Sequence, residues 1–189
     1  MKKIINTPET LVREMCAGIA LADCHVQFLP KYKIIKKKEI NPDKVTLISG
    51  GGSGHEPAHA GFVGTGLLDA AVCGDVFASP SQIQVYQALK ETQSAKGTLL
   101  IIKNYSGDMM NFKNAAALAA EDGITVDYVC VNDDIAVQDS LYTVGRRGCR
   151  TGKDAGRGQE NRGRRDCECE KPGIRADILH RPREGLPHV

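Results

Sequence analysis

Four glycines, two serines and a histidine stand together in the segment Ser49-Gly-Gly-Gly-Ser-Gly-His-Glu-Pro57. An apolar run that ends at Ile48 precedes them, which predicts a buried strand followed by a loop and a short helix. Glycines let a ligand come close to the main chain, and free N–H groups can converge on its oxygen atoms. Ser53 and His55 would add side-chain hydrogen bonds. We predict a binding loop built around the histidine, because the segment fits neither the Walker nor the dinucleotide pattern. A structural tight turn is the alternative.

Charged residues also follow a later apolar run. Lys103 ends the run Thr98–Lys103, and Asp108 closes the loop after it. Ligands of open α/β sheets bind at the carboxyl ends of the strands, so His55 and Asp108 could converge on one small polar ligand. The simpler alternatives are a helix N-cap for Asp108, a lysine that reaches water for Lys103 and a histidine that caps backbone groups for His55.

Alternating helix and strand patterns surround these loops. Apolar runs predict strands at 26–29, 32–35, 44–48, 68–73, 98–103 and 125–131. Helices are predicted from Thr7-Pro8 to about Ala22, from the N-cap Ser79 to about Glu91, and from 109 to 121 with a stop at Gly123. The lysine run at 36–39 predicts a solvated turn. Because strands and helices alternate at βαβ distances, the expected fold class is α/β, a mostly parallel sheet with flanking helices.

The composition of the chain limits the classes of function that it could have. The chain has 189 residues and a net charge of +2, which suits one α/β domain and argues against nucleic acid as a partner. We expect no membrane contact and a cytoplasmic location, because no apolar stretch could span a bilayer and the N-terminus lacks the core of a signal peptide. The seven cysteines show no zinc-ligand pattern, so no metal is expected. Four of them are predicted to be buried free thiols: Cys16, Cys24, Cys73 and Cys130.

Three blocks, in the same order, resemble the dihydroxyacetone (glycerone) kinase family, specifically the N-terminal part of its substrate-binding subunit. They are the glycine-rich segment, Leu100-Ile-Ile-Lys-Asn-Tyr-Ser-Gly-Asp108 and Asp139-Ser-Leu-Tyr-Thr-Val-Gly-Arg-Arg-Gly148. The resemblance covers residues 1–148 and implies a component that binds dihydroxyacetone for phosphorylation to dihydroxyacetone phosphate. It implies His55 and Asp108 as catalytic residues. The substrate contacts it implies are Gly52, Ser53, Gly54, His55, Lys103 and Asp108.

The same resemblance implies partners. The chain itself would bind no cofactor. ATP, or ADP recharged by the sugar phosphotransferase system, would lie on a nucleotide-binding kinase subunit or domain, and the substrate-binding subunit would be a homodimer. Non-catalytic paralogues with this fold, which act as ligand sensors or transcriptional co-activators, are the alternative function. An inactive truncated product is the other alternative.

Composition changes abruptly after Gly148. Residues 149–189 are rich in Arg and Gly, poor in aliphatic residues and without periodicity, which predicts a disordered tail. We interpret this tail as non-family sequence from a frameshift or a mispredicted gene end, with a nucleic-acid-binding tail as the alternative. The histidine that bonds covalently to substrate in the family finds no match at His180 or His188. Residues 1–148 are therefore expected to be an incomplete N-terminal domain, and the chain alone is expected to be inactive as a kinase.

Overall fold

A computed structural model describes residues 5–131, 134–138 and 145–146. Six strands form one sheet in the order β1-β2-β4-β3-β5-β6, in which β2 runs antiparallel to both neighbours and β3 to β6 are mutually parallel. The six strands are β1 (Val26–Leu29), β2 (Ile34–Lys37), β3 (Thr46–Ser53), β4 (Ala70–Val76), β5 (Thr98–Lys103) and β6 (Val126–Val131). A separate parallel pair consists of β7 (Asp134–Gln138) and β8 (Gly145–Arg146). The predicted α/β class with a mostly parallel sheet is confirmed; the predicted tail and its boundary lie outside the described residues.

Helices cover both faces of the six-stranded sheet. Helices α2 (Gln82–Glu91) and α3 (Ser106–Glu121) share one buried cluster with sheet residues such as Ile48, and Phe112 lies fully buried in it. Helix α1 (Leu11–Ala22) and a short 3-10 helix (Ala60–Phe62) share the other cluster. Successive strand residues point to opposite faces, so strands β1 to β5 supply both clusters. Burial of these side chains is the main source of stability, at about 25 cal/mol per Å². No helix among the described residues is long and apolar enough to cross a membrane.

The predicted helix ends at Ala22, Glu91 and Glu121 are correct, but all three predicted starts are wrong. Helix α1 begins at Leu11, because Thr7 closes a separate turn by accepting a hydrogen bond from the Thr10 N–H at 3.3 Å. The capping box of α2 joins Ser81 and Gln84, two residues beyond the predicted pair, so Ser79 is not a cap. Helix α3 starts three residues early, which places Asp108 in its first turn instead of at its N-cap. A carboxylate is favourable there because it faces the positive end of the helix dipole.

The glycine run belongs mostly to a strand, which corrects the prediction of a loop after Ile48. Strand β3 continues to Ser53, and Gly50 pairs with Val72 of β4. A Cβ at Gly50 would lie 2.5 Å from the Val72 carbonyl oxygen and 3.1 Å from Phe112. These glycines are therefore required by close packing inside the sheet, and the loop begins only at Gly54. Strand β4 likewise runs on through Gly74 to Val76, past its predicted end.

The lysine run is not a solvated turn. Lys36 and Lys37 lie in β2, where Lys36 is only 8% exposed and its ammonium group is 3.0 Å from the Glu91 carboxylate. Lys37 donates to the buried carboxylate of Asp69 at 2.9 Å. The antiparallel pairing of β2 with β4 draws the run into the sheet, and each buried ammonium group is compensated by a carboxylate.

The prediction of four buried cysteines holds for two of them. Cys16 and Cys73 are buried, on α1 and β4. Cys24 is exposed in the turn after α1, and Cys130 on the edge strand β6 is half-buried. None of these four cysteines forms a disulfide within the described residues.

Asp69 provides the first testable prediction. Its side chain is fully buried, accepts a hydrogen bond from the Leu47 N–H at 2.9 Å, and pairs with Lys37 at 2.9 Å. Asp69→Ala leaves the lysine unpaired and should lower the free energy of unfolding by about 3 kcal/mol, as for other broken buried ion pairs. Urea unfolding followed by circular dichroism measures the loss. The control is Asp43→Ala in an exposed turn, and equal midpoints for the two variants would contradict the assignment.

Candidate functional site

A pocket of about 360 Å³ opens where the adjacent parallel strands β3 and β5 end. This volume suits a small ligand. Nine residues line it: Gly52, His55, Phe77, Ser79, Lys103, Tyr105, Ser106, Gly107 and Asp108. The two loops that the sequence could not prove to be neighbours therefore meet, and His55 and Asp108 face the same space. Four predicted contacts line this pocket: Gly52, His55, Lys103 and Asp108.

Two predicted contact residues do not line the pocket. Ser53 is buried, and its hydroxyl donates to the Gly74 carbonyl oxygen at 2.8 Å. Gly54 has a φ of +106°, a backbone conformation that favours glycine, and its N–H donates to the Glu56 carboxylate at 2.9 Å. Both residues instead shape the turn that carries His55 into the pocket.

Lys103 and Asp108 form a buried, loosely paired set of charges. The lysine Nζ lies 3.9 Å from Asp108 Oδ2, and Asp108 is 1% exposed. Burial raises the pKa of Asp108 above its ordinary value, while Ser79, Lys103 and His55 oppose the rise. Burial lowers the pKa of Lys103, and Asp108 opposes that fall. Both shifts move the groups toward conditions in which they can exchange protons with a ligand.

One oxygen of Asp108 is left for a ligand. Its Oδ1 atom is buried and accepts no hydrogen bond from any residue that the structure describes. An unpartnered buried acceptor costs about 1–3 kcal/mol, which a ligand hydroxyl would recover by donating to it. The carboxylate thus lies ready to accept a hydrogen bond, and then a proton, from an alcohol in the pocket.

Gly51 positions Lys103, and sequence reasoning missed it. A Cβ at this position would lie 2.4 Å from the lysine Nζ and 3.5 Å from Asp108 Oδ2. The lysine therefore folds back across the bare main chain of β3, with its ammonium group 5.3 Å from the centre of the Tyr105 ring. The consecutive glycines did indicate a position where another group approaches the main chain. Sequence alone, however, does not distinguish a strand position that must lack a side chain from a loop.

Phe77 and Ser79 were also missed. Phe77 is 71% exposed with a φ of +54°, and its ring meets the His55 ring edge-on, with 5.3 Å between centroids. The Ser79 hydroxyl lies beside Gly107, and a Cβ at Gly107 would come within 2.7 Å of its oxygen. The same hydroxyl interacts with the carboxylate of Asp108. The only signal for Ser79 was the capping-box pattern, which pointed to a different role.

The residues whose side chains could together hold a metal ion lie outside the pocket. Within the described residues, one group of three has its ligand atoms within 4.8 Å of one another: Asp23, Cys24 and His25. None of the three lines the pocket. The pocket itself offers a histidine, a lysine and one carboxylate, which suits an uncharged polar ligand better than a cation.

The sequence and the fold match a known protein family. Residues 17–152 match the family model of the Dak1 domain, and the chain belongs to that family. It is 51% identical over 149 residues to the dihydroxyacetone-binding subunit DhaK of a PTS-dependent dihydroxyacetone kinase of Listeria innocua. Identity to the DhaK subunit of the PEP-dependent dihydroxyacetone kinase of Escherichia coli is 42% over 149 residues. These matches confirm the resemblance to dihydroxyacetone kinases; they cover 78% of this chain but only 45% and 42% of those subunits.

Solved structures give the same result. The dihydroxyacetone kinase of C. freundii in complex with AMP-PNP and Mg²⁺ superposes with a TM-score of 0.69 at 44% identity, over 71% of this chain and 26% of that one. A dihydroxyacetone kinase operon co-activator, Dha-DhaQ, superposes with a TM-score of 0.64 at 43% identity, over 66% of this chain and 38% of that one. The fold is therefore shared by kinases and by a co-activator.

The raised pKa of Asp108 predicts a pH-dependent stability difference. An acid whose folded pKa lies above its unfolded pKa contributes stability at low pH that is lost as the pH rises through the folded value. Asp108→Asn cannot ionise, so the stability of the wild type relative to this variant should fall as the pH rises above about 4, the ordinary pKa of an aspartate. Urea unfolding at a series of pH values measures it, with the exposed Asp43→Asn as control. A difference independent of pH would contradict the assignment.

Proposed function

We propose that this chain is the dihydroxyacetone-binding component of a dihydroxyacetone kinase, and that the pocket at the ends of β3 and β5 holds the triose. One observation carries the proposal: His55, Lys103 and Asp108 converge, beside the bare main chain of Gly52, on a space sized for a small polar ligand. The names of the relatives from L. innocua and E. coli support it, because both are called dihydroxyacetone-binding subunits.

The proposed mechanism uses Asp108 as a general base. A terminal hydroxyl of the triose donates a hydrogen bond to Asp108, and its proton moves to the carboxylate as the oxygen forms a bond to the incoming phosphorus. The bond from phosphorus to the leaving nucleoside diphosphate breaks in the same displacement. A proton acceptor held at the attacking oxygen helps phosphoryl transfer, which depends mainly on positioning and charge stabilisation. The raised pKa of Asp108 makes it a stronger base than an ordinary carboxylate.

Lys103 and His55 position the ligand in this proposal. The ammonium group of Lys103 donates to a triose oxygen and offsets negative charge that develops during transfer. His55 lies at the exposed side of the pocket and hydrogen-bonds a second ligand oxygen at neutral pH. Binding a small molecule through several fixed groups holds the reacting hydroxyl in one orientation, which is where most of the rate gain originates.

The proposal includes partners. The phosphoryl donor is ATP, or an ADP recharged by a phosphotransferase system, on a nucleotide-binding partner, and the chain alone is expected to be inactive. The names of the relatives, PTS-dependent and PEP-dependent kinases, support a donor outside this chain. We include a homodimer and a cytoplasmic location in the proposal.

A second candidate function is a ligand sensor without catalysis. The similarity to the co-activator Dha-DhaQ supports it, because this fold occurs in a regulatory protein as well. Both candidates require a triose in the pocket, and only the kinase requires transfer. Incubating the full chain with triose, ATP and a nucleotide-binding kinase subunit distinguishes them: dihydroxyacetone phosphate forms only in the kinase case.

Ligand binding is the direct test. Dihydroxyacetone should produce saturable chemical-shift changes in the full chain at the amides of Gly52 and His55. His55→Ala and Asp108→Asn should each weaken binding about tenfold, since loss of one hydrogen bond to a charged or buried group costs about 1.5 kcal/mol. Asp122→Asn, on the exposed end of α3, is the matched control. Unchanged affinity in both pocket variants would overturn the proposal.

Gly51 gives an independent test. In Gly51→Ala the new methyl group would lie only 2.4 Å from the Lys103 Nζ, which is closer than van der Waals contact allows. It would therefore push the ammonium group out of its position. Triose affinity should fall about tenfold or more, for the cost of losing one charge-assisted contact. Gly64→Ala is the control, because a Cβ there meets no atom within 4 Å. Equal affinities for the two variants would show that the position of Lys103 does not matter.

A further inference from the structure

A half-buried histidine outside the pocket lining, His59, is restricted to one tautomer by its neighbour Ser49. The hydroxyl of Ser49 on β3 donates to the Ile101 carbonyl oxygen at 2.7 Å, and the same oxygen lies 3.1 Å from His59 Nδ1. A serine hydroxyl carries a single proton, which the carbonyl oxygen takes. The contact with His59 can therefore be a hydrogen bond only if Nδ1 carries a proton and donates it to Ser49. The neutral ring then has a bare lone pair at Nε2.

That lone pair has no protein partner within the described residues. Nε2 of His59 is buried and accepts no hydrogen bond from them. Burial, with smaller effects from Lys103 and His55, lowers the pKa of His59 to about 4, so the ring is uncharged at neutral pH. A buried acceptor of this kind is costly unless a nearby donor uses it.

Lys103 is the cationic donor whose charge acts on His59. Ser49 and Gly51 lie on the same face of β3, since side chains two residues apart share a face and are separated by about 7 Å. His59 contacts this face at position 49, and the Lys103 ammonium group lies over position 51. In residues 5–131 the ammonium group makes no hydrogen bond; its ion-pair partner Asp108 is 3.9 Å away.

We propose that Ser49 and His59 are positioning residues for Lys103: Ser49 fixes the Nδ1–H tautomer of His59, and the bare Nε2, which has no partner among the described residues, is the neutral acceptor to which the lysine ammonium group can turn on its face of β3. His59 acts through Lys103 and does not need to touch the ligand. This inference deepens the proposed function, because Lys103 is one of the groups expected to hold the triose.

The charge of Lys103 explains why a neutral histidine suits position 59. Two titratable groups, Lys103 and His55, act on His59, and Asp108 pairs with Lys103 at 3.9 Å. A second permanent cation at position 59 would repel Lys103, and a carboxylate would compete with Asp108 for it. A neutral imidazole with a fixed lone pair does neither. Ser49 prevents the opposite tautomer, in which a donor would face the ammonium group.

The first experiment reads the tautomer and does not require ligand. Long-range ¹H–¹⁵N correlation spectra of the full-length chain at pH 7 should show His59 with a protonated Nδ1 and an unprotonated Nε2. Ser49→Ala should abolish this preference. A protonated Nε2 in the wild type, or a charged ring at pH 7, would overturn the proposal.

The second experiment compares two substitutions of His59. In His59→Gln the amide oxygen can take the place of Nε2, whereas in His59→Asn the amide can reach only the place of Nδ1. The pKa of Lys103, followed by its ¹³Cε shift, should stay near the wild-type value in the Gln variant. It should fall by about one unit in the Asn variant, the equivalent of about 1.4 kcal/mol of lost stabilisation of the ammonium group.

Thermal unfolding of both variants shows that they are folded, and His25→Asn in the exposed turn after α1 is the control. Equal Lys103 pKa values in the Gln and Asn variants would overturn the proposal. Triose affinity is measured separately. If the tautomer and Lys103 results hold but no variant binds triose, the proposed function fails and the positioning role stands.

Discussion

The close approach of other groups to the bare main chain of β3 is the constraint on which the rest of the structure depends. Gly50 admits Val72 and Phe112 from one face, and Gly51 admits the Lys103 ammonium group from the other. One run of glycines therefore closes the core and opens the site. Any side chain larger than a hydrogen atom at these positions would have to displace the sheet, a core aromatic residue or the lysine.

Burial of charge is the second determinant of the site. Asp108 is placed in the first turn of α3, where the helix dipole favours its carboxylate and desolvation opposes it. Lys103 compensates it only in part, at 3.9 Å, which is longer than a direct hydrogen bond. A tighter pair would be more stable but would leave neither group available to a ligand. The loose pairing is thus a feature that function explains better than stability does.

How much of this could be predicted from the sequence depends on the range of the interactions. Strand β5 was predicted with its observed bounds, because its apolar run and flanking residues are local signals. The convergence of His55 and Asp108 followed from a general rule on parallel sheets. The start of α2 was not predictable, since Ser79 and Ser81 each begin a plausible capping box and only tertiary contacts decide between them.

Other features had no local signal. The burial of Lys36 follows from pairing with a strand more than thirty residues away, and from Glu91 on a helix beyond that strand. The role of Gly51 depends on where a lysine on the neighbouring strand bends. The tautomer of His59 depends on the use that Ser49 makes of its single proton, which only atomic positions can show.

One wall of the pocket leaves little freedom for change. A Cβ at Gly52 would lie 2.7 Å from the Ala78 nitrogen, and a Cβ at Gly74 would lie 2.0 Å from the Ala78 carbonyl oxygen. The Gly54 position is in turn covered by the Phe77 ring. These residues can therefore diversify only together, whereas Tyr105 and Ser106, which line the same cavity, already carry side chains there. Over evolutionary time, a shift in ligand preference within this scaffold should be recorded at the start of α3 and not in the glycine run.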